Sequence, residues 1–106
     1  MSVTWKAFVD GFRNCAGTGN ADALAALITD DFTWPTSDMD YQQTLDWTAN
    51  TNFRVTGAET TLYENADVIA GKHDVYDDSG TLNTVMGVAY LRDGKVQTYH
   101  HLRSPQ

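Results

Sequence analysis

An Asp-Gly pair at Asp93-Gly94, set between an apolar run and an alternating one, constrains this chain more than any other feature. Both residues tolerate the positive φ angles of a two-residue turn, so residues 81–105 predict a long β-hairpin. Regular pairing outward from that turn sets Arg92 against Lys95, Leu91 against Val96, Tyr90 against Gln97, Val88 against Tyr99, Met86 against His101 and Thr84 against Arg103. Two unlike faces follow. One carries Leu82, Thr84, Met86, Val88 and Tyr90 beside Gln97, Tyr99, His101 and Arg103, a mixture of large apolar and polar groups suited to a pocket lining. The other carries Val85, Gly87, Ala89 and Leu91 beside Val96, Thr98, His100 and Leu102, flatter groups suited to packing against a second surface.

The segment Val85 to Leu91 has no polar break, which predicts cover on both faces of its strand, because a sheet wet on one side alternates polar and apolar residues. One cover lies upstream. Trp5, Phe8, Val9, Phe12 and Cys15 fall on one stripe of a first helix, stopped by residues 17–20. Asn20 then caps a second helix with Leu24, Leu27 and Ile28 on one face. Phe32 and Trp34 alternate in a short strand that Pro35 ends, placing it at a sheet edge. Ser37, Asp38 or Asp40 caps a third helix over residues 40–49, with Tyr41, Thr44, Leu45 and Thr48 on its weaker apolar side. From residue 52 the period changes to two, with turns at Glu64-Asn65 and Asp77–Gly80, giving two further strands before the hairpin. The expectation is a single α+β domain over residues 1–106: three N-terminal helices covering the concave side of a curved, mainly antiparallel sheet. Three short helices cover one face only, so the second cover is expected to be another copy of the chain, a homodimer.

Charge narrows the partners. Seven basic residues against fourteen acidic give a net charge of -7 and oppose attraction to phosphate backbones or anionic lipid, so no nucleic acid and no membrane partner is expected. The N-terminus lacks a signal-peptide pattern and no apolar run would span a bilayer, which predicts a cytoplasmic protein. Cys15 is the only cysteine, which excludes an intramolecular disulfide and a Cys-based zinc cage. No cofactor is implied.

The helix-then-sheet order, the Asp-Asp-Phe-Thr-Trp step at 30–34 and Arg-Asp-Gly-Lys-Val at 92–96 resemble the nuclear transport factor two-like superfamily, in its SnoaL-like polyketide cyclase and ketosteroid isomerase branch. The resemblance implies a cone-shaped α+β fold with an apolar pocket inside the curved sheet and dimers through the outer sheet face. The isomerase residues do not carry over: Phe12, Val88 and Trp34 stand approximately where that family has its oxyanion-hole tyrosine, protonated Asp and basic Asp. SnoaL-like enzymes commonly place an acid or His several residues after the Gly-Lys pair of the last strand, and His101 stands there.

His101 is thus the candidate catalytic residue, weighed against a His that merely hydrogen-bonds inside a polar part of the core. Tyr99, Tyr90 and Arg103 are candidates for holding a substrate oxygen, and Met86, Trp34, Phe12 and Trp5 for packing an apolar ring; the bland reading of the aromatics is a core that fills itself. His100 points away from His101. His73 faces the pocket if Tyr76 pairs with Thr81, an assignment that one bulge reverses. Two strands and two residues separate His73 from His101, roughly 12 Å between backbones, too far for a shared metal. Asp38 and Asp40 read as caps, Gly71 and Gly87 as bends or close approaches, and Asp67, Asp74, Asp77 and Asp78 as turn and edge charges. Together these features predict a small, largely apolar ligand, with acid-base chemistry of the cyclase, isomerase or dehydratase kind or, alternatively, binding without chemistry.

Overall fold

The computed structural model describes residues 2–106. Helix α1, Trp5–Thr18, starts where the Thr4 hydroxyl accepts from the Ala7 N–H at 3.1 Å and ends where Gly19 enters the left-handed region at φ +74°. Trp5, Phe8, Val9 and Cys15 of its apolar stripe are buried as the spacing predicts and Phe12 is half-buried, while Lys6 and Arg13 pair with Asp10 on the outer side. Helix α2 is shorter than expected, Asp22–Ala25, with the Asn20 side chain accepting from the Asp22 N–H. Ile28 leaves the helix and opens strand β1, Ile28–Trp34, because the β-branched pair Ile28-Thr29 favours the pleated backbone. A 3₁₀ turn, Pro35–Ser37, and the two-residue strand β2, Met39–Asp40, lead into helix α3, Tyr41–Asn50. Asp40 caps α3 through a reciprocal capping box with Gln43.

Four long strands follow: β3, Arg54–Glu64; β4, Val68–Tyr76; β5, Leu82–Arg92; and β6, Lys95–Pro105. The curved, open sheet has the order β2-β1-β6-β5-β4-β3, and β3 to β6 are antiparallel throughout. β1 instead runs parallel to β6, with only β2 beyond it, so the strand expected at an edge lies one place in. Among the described residues, no helix is long and apolar enough to cross a membrane.

The hairpin turns at Asp93 and Gly94, with φ of +53° and +82°. Arg92 faces Lys95 and Leu91 faces Val96, but Tyr90 then pairs with Thr98, so Gln97 is an extra residue in a β-bulge. Beyond the bulge Ala89 faces Tyr99, Gly87 faces His101 and Val85 faces Arg103. This corrects the regular register. Val85, Ala89, Val96 and Tyr99 share the concave, helix-covered side, and Met86 and Tyr90, placed in the pocket by plain alternation, are on the outer face, 53% and 47% exposed. The flat face proposed for an interface is likewise redistributed: Gly87 and Ala89 turn inward, Thr98, His100 and Leu102 outward.

The concave core joins Trp5, Phe8 and Val9 of α1 and Leu24 of α2 to Phe32, Ile69, Ala89, Val96 and Tyr99. Trp5 is fully buried and lies across the glycines of two neighbouring strands, Gly71 and Gly87, which pair with each other. A Cβ on Gly71 would come 2.2 Å from the Trp5 indole nitrogen, so the glycine marks a close approach.

Candidate functional site

A cavity of about 160 Å³ opens within the concave face beside the core. α1 contributes Phe12, β1 contributes Trp34, and α3 and the segment after it contribute Trp47, Thr48, Thr51 and Phe53. The sheet floor is His73, Val75, Val85, Tyr99, His101 and Arg103. The walls meet edge to face: Trp34 is 6.0 Å from Trp47 at 83°, Phe12 is 5.5 Å from Trp34, and Trp47 is 5.3 Å from Phe53. A wider and more open apolar depression, about 430 Å³, lies on the outer face between Leu62, Met86, Val88 and Leu102. The inner cavity is the better candidate for chemistry, because it is the more enclosed and gathers His73, Tyr99, His101 and Arg103, where the outer depression has His100 and an edge of His101.

Of the residues singled out in the sequence, Phe12, Trp34, Tyr99, His101 and Arg103 line this cavity. Met86 and Tyr90 are across the sheet, and Trp5 is sealed in the core beside it. His73, left open between faces, is inside, opposite Val85: Tyr76 pairs with Leu82, and that one-residue shift offsets the one made by the Gln97 bulge. Trp47 and Phe53 were not anticipated. The available signal was a tryptophan on the polar helix α3 followed six residues later by an aromatic at the start of the alternating pattern.

His101 is fixed by its neighbours. The Trp34 indole N–H donates to its Nδ1 at 2.8 Å, the Thr36 hydroxyl lies 2.9 Å from the same atom, and the His101 backbone N–H donates to that hydroxyl at 3.1 Å. Its ring stacks on Tyr99, 5.8 Å between centroids at 18°. Burial pushes its pKa below the ordinary histidine value, and the charges of Arg103 and His73 push the same way. Burial likewise lowers His73, against a weaker opposing hydrogen bond to the Asp74 carbonyl. Tyr99 is 3% exposed and burial raises its pKa, so it stays a neutral phenol. Tyr99 lines the cavity, and its hydroxyl, in no hydrogen bond among the described residues, lies beside Gly87, where an added Cβ would come 2.7 Å from it.

Arg103 sits over the Phe53 ring at 4.9 Å and 3.8 Å from an Asp77 carboxylate oxygen. Asp77 also takes hydrogen bonds from the Ser79 hydroxyl, the Thr81 and Ser79 N–H groups and the Asn83 amide, which hold it at about 2 instead of 3.8. The sign follows from linkage. An unfolded Asp77 takes up a proton before the folded one does, so its contribution is intact above about pH 4 and drains away as pH falls toward 2. Urea denaturation across that window should show a shallower loss of stability for Asp77→Asn than for wild type. The remaining acid slope belongs partly to Asp31, also held at about 2, chiefly by Arg92.

No protein-family model matches the chain, and no curated protein matches it by sequence. Solved structures do. An NTF2-like protein of unknown function from Cytophaga hutchinsonii superposes with a TM-score of 0.72 at 15% identity, over 98% of this chain and 93% of that one. The chain has the nuclear transport factor two-like fold. The same NTF2-like architecture occurs in a protein from Catenulispora acidiphila with a ketosteroid isomerase-like fold, solved with trimethylamine (TM-score 0.62, 17% identity, 94% and 86% covered). It also occurs in the Δ5-3-ketosteroid isomerase of a Mycobacterium species (TM-score 0.59, 16% identity, 94% and 96% covered). At these identities the likeness is one of fold. The three positions compared with the isomerase in the sequence hold no ionisable group: Phe12 and Trp34 line the cavity and Val88 faces outward. On the penultimate strand the cavity-lining residue is Val85, which has none either.

Proposed function

We propose that this NTF2-like protein binds a compact, largely apolar molecule carrying a carbonyl-type oxygen and acts on it by acid-base chemistry of the isomerase, cyclase or dehydratase kind, with His101 as the central residue. The supporting observation is His101 itself, a half-buried imidazole delivered into a cavity otherwise walled by Phe12, Trp34, Trp47, Phe53 and Tyr99. Size limits the ligand: about 160 Å³ is close to the roughly 150 Å³ cavity that accepts benzene, well under the ~300 Å³ or more of drug-sized sites. A single ring fits and a steroid nucleus does not. Charge limits it as well. Arg103 lines the cavity with no carboxylate among the lining residues, which disfavours an ammonium such as protonated trimethylamine and favours an oxygen that gains negative charge.

The test is exchange of the α-protons of cyclohexanone in D₂O, followed by NMR. Wild type should exchange them above the buffer rate, and His101→Gln should fold normally yet lose about 10²- to 10⁴-fold. Saturable cyclohexanone binding, read by tryptophan fluorescence, with no exchange would support the non-enzymatic alternative. That alternative is favoured by the absence of a cavity carboxylate. Neither binding nor exchange would end both readings.

The same proposal includes a homodimer through the outer sheet face. Leu62, Met86, Val88 and Leu102 gather there, Leu102 being 78% exposed, and the surface around them is almost wholly apolar. Lys72, paired with Met86, flanks this patch, and the occupant that suits a flat apolar sheet surface is a second copy of the same sheet.

A further inference from the structure

We infer, resting on the acid-base reading of the cavity, that His73 and His101 are held in opposite neutral tautomers: His101 presents an N–H donor and His73 a lone pair, one for each side of a small carbonyl compound. The Trp34 indole nitrogen can only donate, so the His101 Nδ1 it meets at 2.8 Å must accept. Thr36 reinforces this. Its hydroxyl oxygen already accepts from the His101 backbone N–H, which leaves its proton free to donate to the same Nδ1. The His101 proton therefore sits on Nε2. Protonating Nδ1 would set one N–H against another and break the Trp34 contact, leaving only the Thr36 oxygen able to accept.

His73 is the converse. Its Nδ1 lies 3.3 Å from the Asp74 carbonyl oxygen, which can only accept, so Nδ1 carries the proton and Nε2 the lone pair. Both rings line the cavity, and neither Nε2 has a hydrogen-bond partner among the described residues. His73 and Arg103 both pair with Val85, placing His101 two strands and two residues away, roughly 12 Å between backbones on a flat sheet and less on a curved one. That span suits a ring of six or seven heavy atoms between two inward imidazoles. Burial keeps His73 neutral, as a base requires.

The step this allows balances without a cofactor. His73 Nε2 takes a proton from the carbon next to the carbonyl, and the C–H electron pair moves into the C–C bond as the carbonyl π pair moves onto oxygen. The His101 Nε2–H and the Tyr99 hydroxyl stabilise the resulting enolate. The His73 imidazolium then returns the proton, or a solvent deuteron, to carbon. Trp34 and Thr36 are positioning residues, acting through His101.

Two-bond ¹H–¹⁵N NMR of the ¹⁵N-labelled protein tests the tautomers without any ligand. The expected spectrum shows His101 bare at Nδ1 and protonated at Nε2, with His73 reversed; a proton on Nδ1 of His101, or the same tautomer for both, overturns the inference. Trp34→Phe should release His101 toward a mixture of tautomers. Thr36→Val, at an exposed position, leaves the Trp34 donor in place and should keep the wild-type tautomer, so a proton on Nδ1 in that variant overturns the fixing role of Trp34, as does an unchanged His101 signal in folded Trp34→Phe. In the cyclohexanone assay His73→Gln should lose about 10²- to 10⁴-fold of the exchange. Exchange equal to wild type in that variant would remove His73 as the base. Opposite tautomers in a wild type that exchanges nothing would instead sink the acid-base function while leaving the tautomer pair standing.

Discussion

Gly71→Ala is expected to lower the melting temperature by more than about 10 °C, at roughly 4 °C or more per kcal/mol for a domain of this size. The added methyl would sit 2.2 Å from Trp5 Nε1 and 2.4 Å from the Thr60 carbonyl oxygen. Neither can give way cheaply. Trp5 is fully buried and in ring contact with Phe8, His73 and Tyr99, and Thr60 belongs to β3, paired on either side of its own register shift with β4. Overpacking a core costs about 1–3 kcal/mol, and two unyielding neighbours put this case at or above the upper end. Gly17→Ala is the matched control. Gly17 is in the last turn of α1 with nothing near its missing Cβ, so alanine there should be neutral or stabilising by up to about 1 kcal/mol. Thermal scans that rank the two variants equally would contradict the packing of Trp5 on the glycine pair.

Ala89→Arg should abolish folding, whereas Leu102→Arg should leave the fold intact and yield a monomer. Ala89 has no exposed surface and faces Ile69 and Tyr99 on the neighbouring strands, so the guanidinium would be desolvated without a partner, at a cost of about 4 kcal/mol or more. Leu102 is exposed in the single chain, so a charge there changes stability by about 0.5 kcal/mol or less while opposing burial against a second sheet. Circular dichroism and light scattering separate the outcomes. A folded Ala89→Arg protein would restore the regular hairpin register that the bulge replaces, and a Leu102→Arg protein with the same mass in solution as wild type would remove the outer face as the interface.

The difference between those two positions also marks how far residue patterns reach. The turn at Asp93-Gly94, the α1 stripe and a cap for α3 among Ser37, Asp38 and Asp40 follow from local rules, and the structure has all three, with Asp40 as the cap. Gln97 carries no such signature: it is neither Gly nor Pro, and alternation runs through it smoothly. Its bulge is favoured by tertiary demands. Val96 has to face Ile28 and the core, while Tyr99 has to meet Phe8 and Phe12, and an odd spacing of three can satisfy both only with one residue left over. Met86 and Tyr90 were misplaced for that reason alone. His101 stayed inward because the flip of β5 relative to β6 changed its neighbours and not its side. Trp47 and Phe53 were illegible for a different reason, since they meet Trp34 and Arg103 only through the folding of α3 across the sheet.

The Gln97 bulge also bears on how such a chain can change length. Because Gln97 is surplus to the ladder with β5, excising it would leave Val96 across from Leu91, Thr98 across from Tyr90 and Tyr99 across from Ala89, every later β5 partner unchanged. Its side chain does no more than reach Asp31 at 3.2 Å. A single-residue deletion there therefore leaves Tyr99, His101 and Arg103 facing the cavity, whereas one a few positions later, if the bulge stays, would turn the remainder of β6 inside out and bring His100 inward in place of His101. Within one strand, adjacent sites thus differ sharply in whether evolution can shorten the chain without rewriting what the cavity contains.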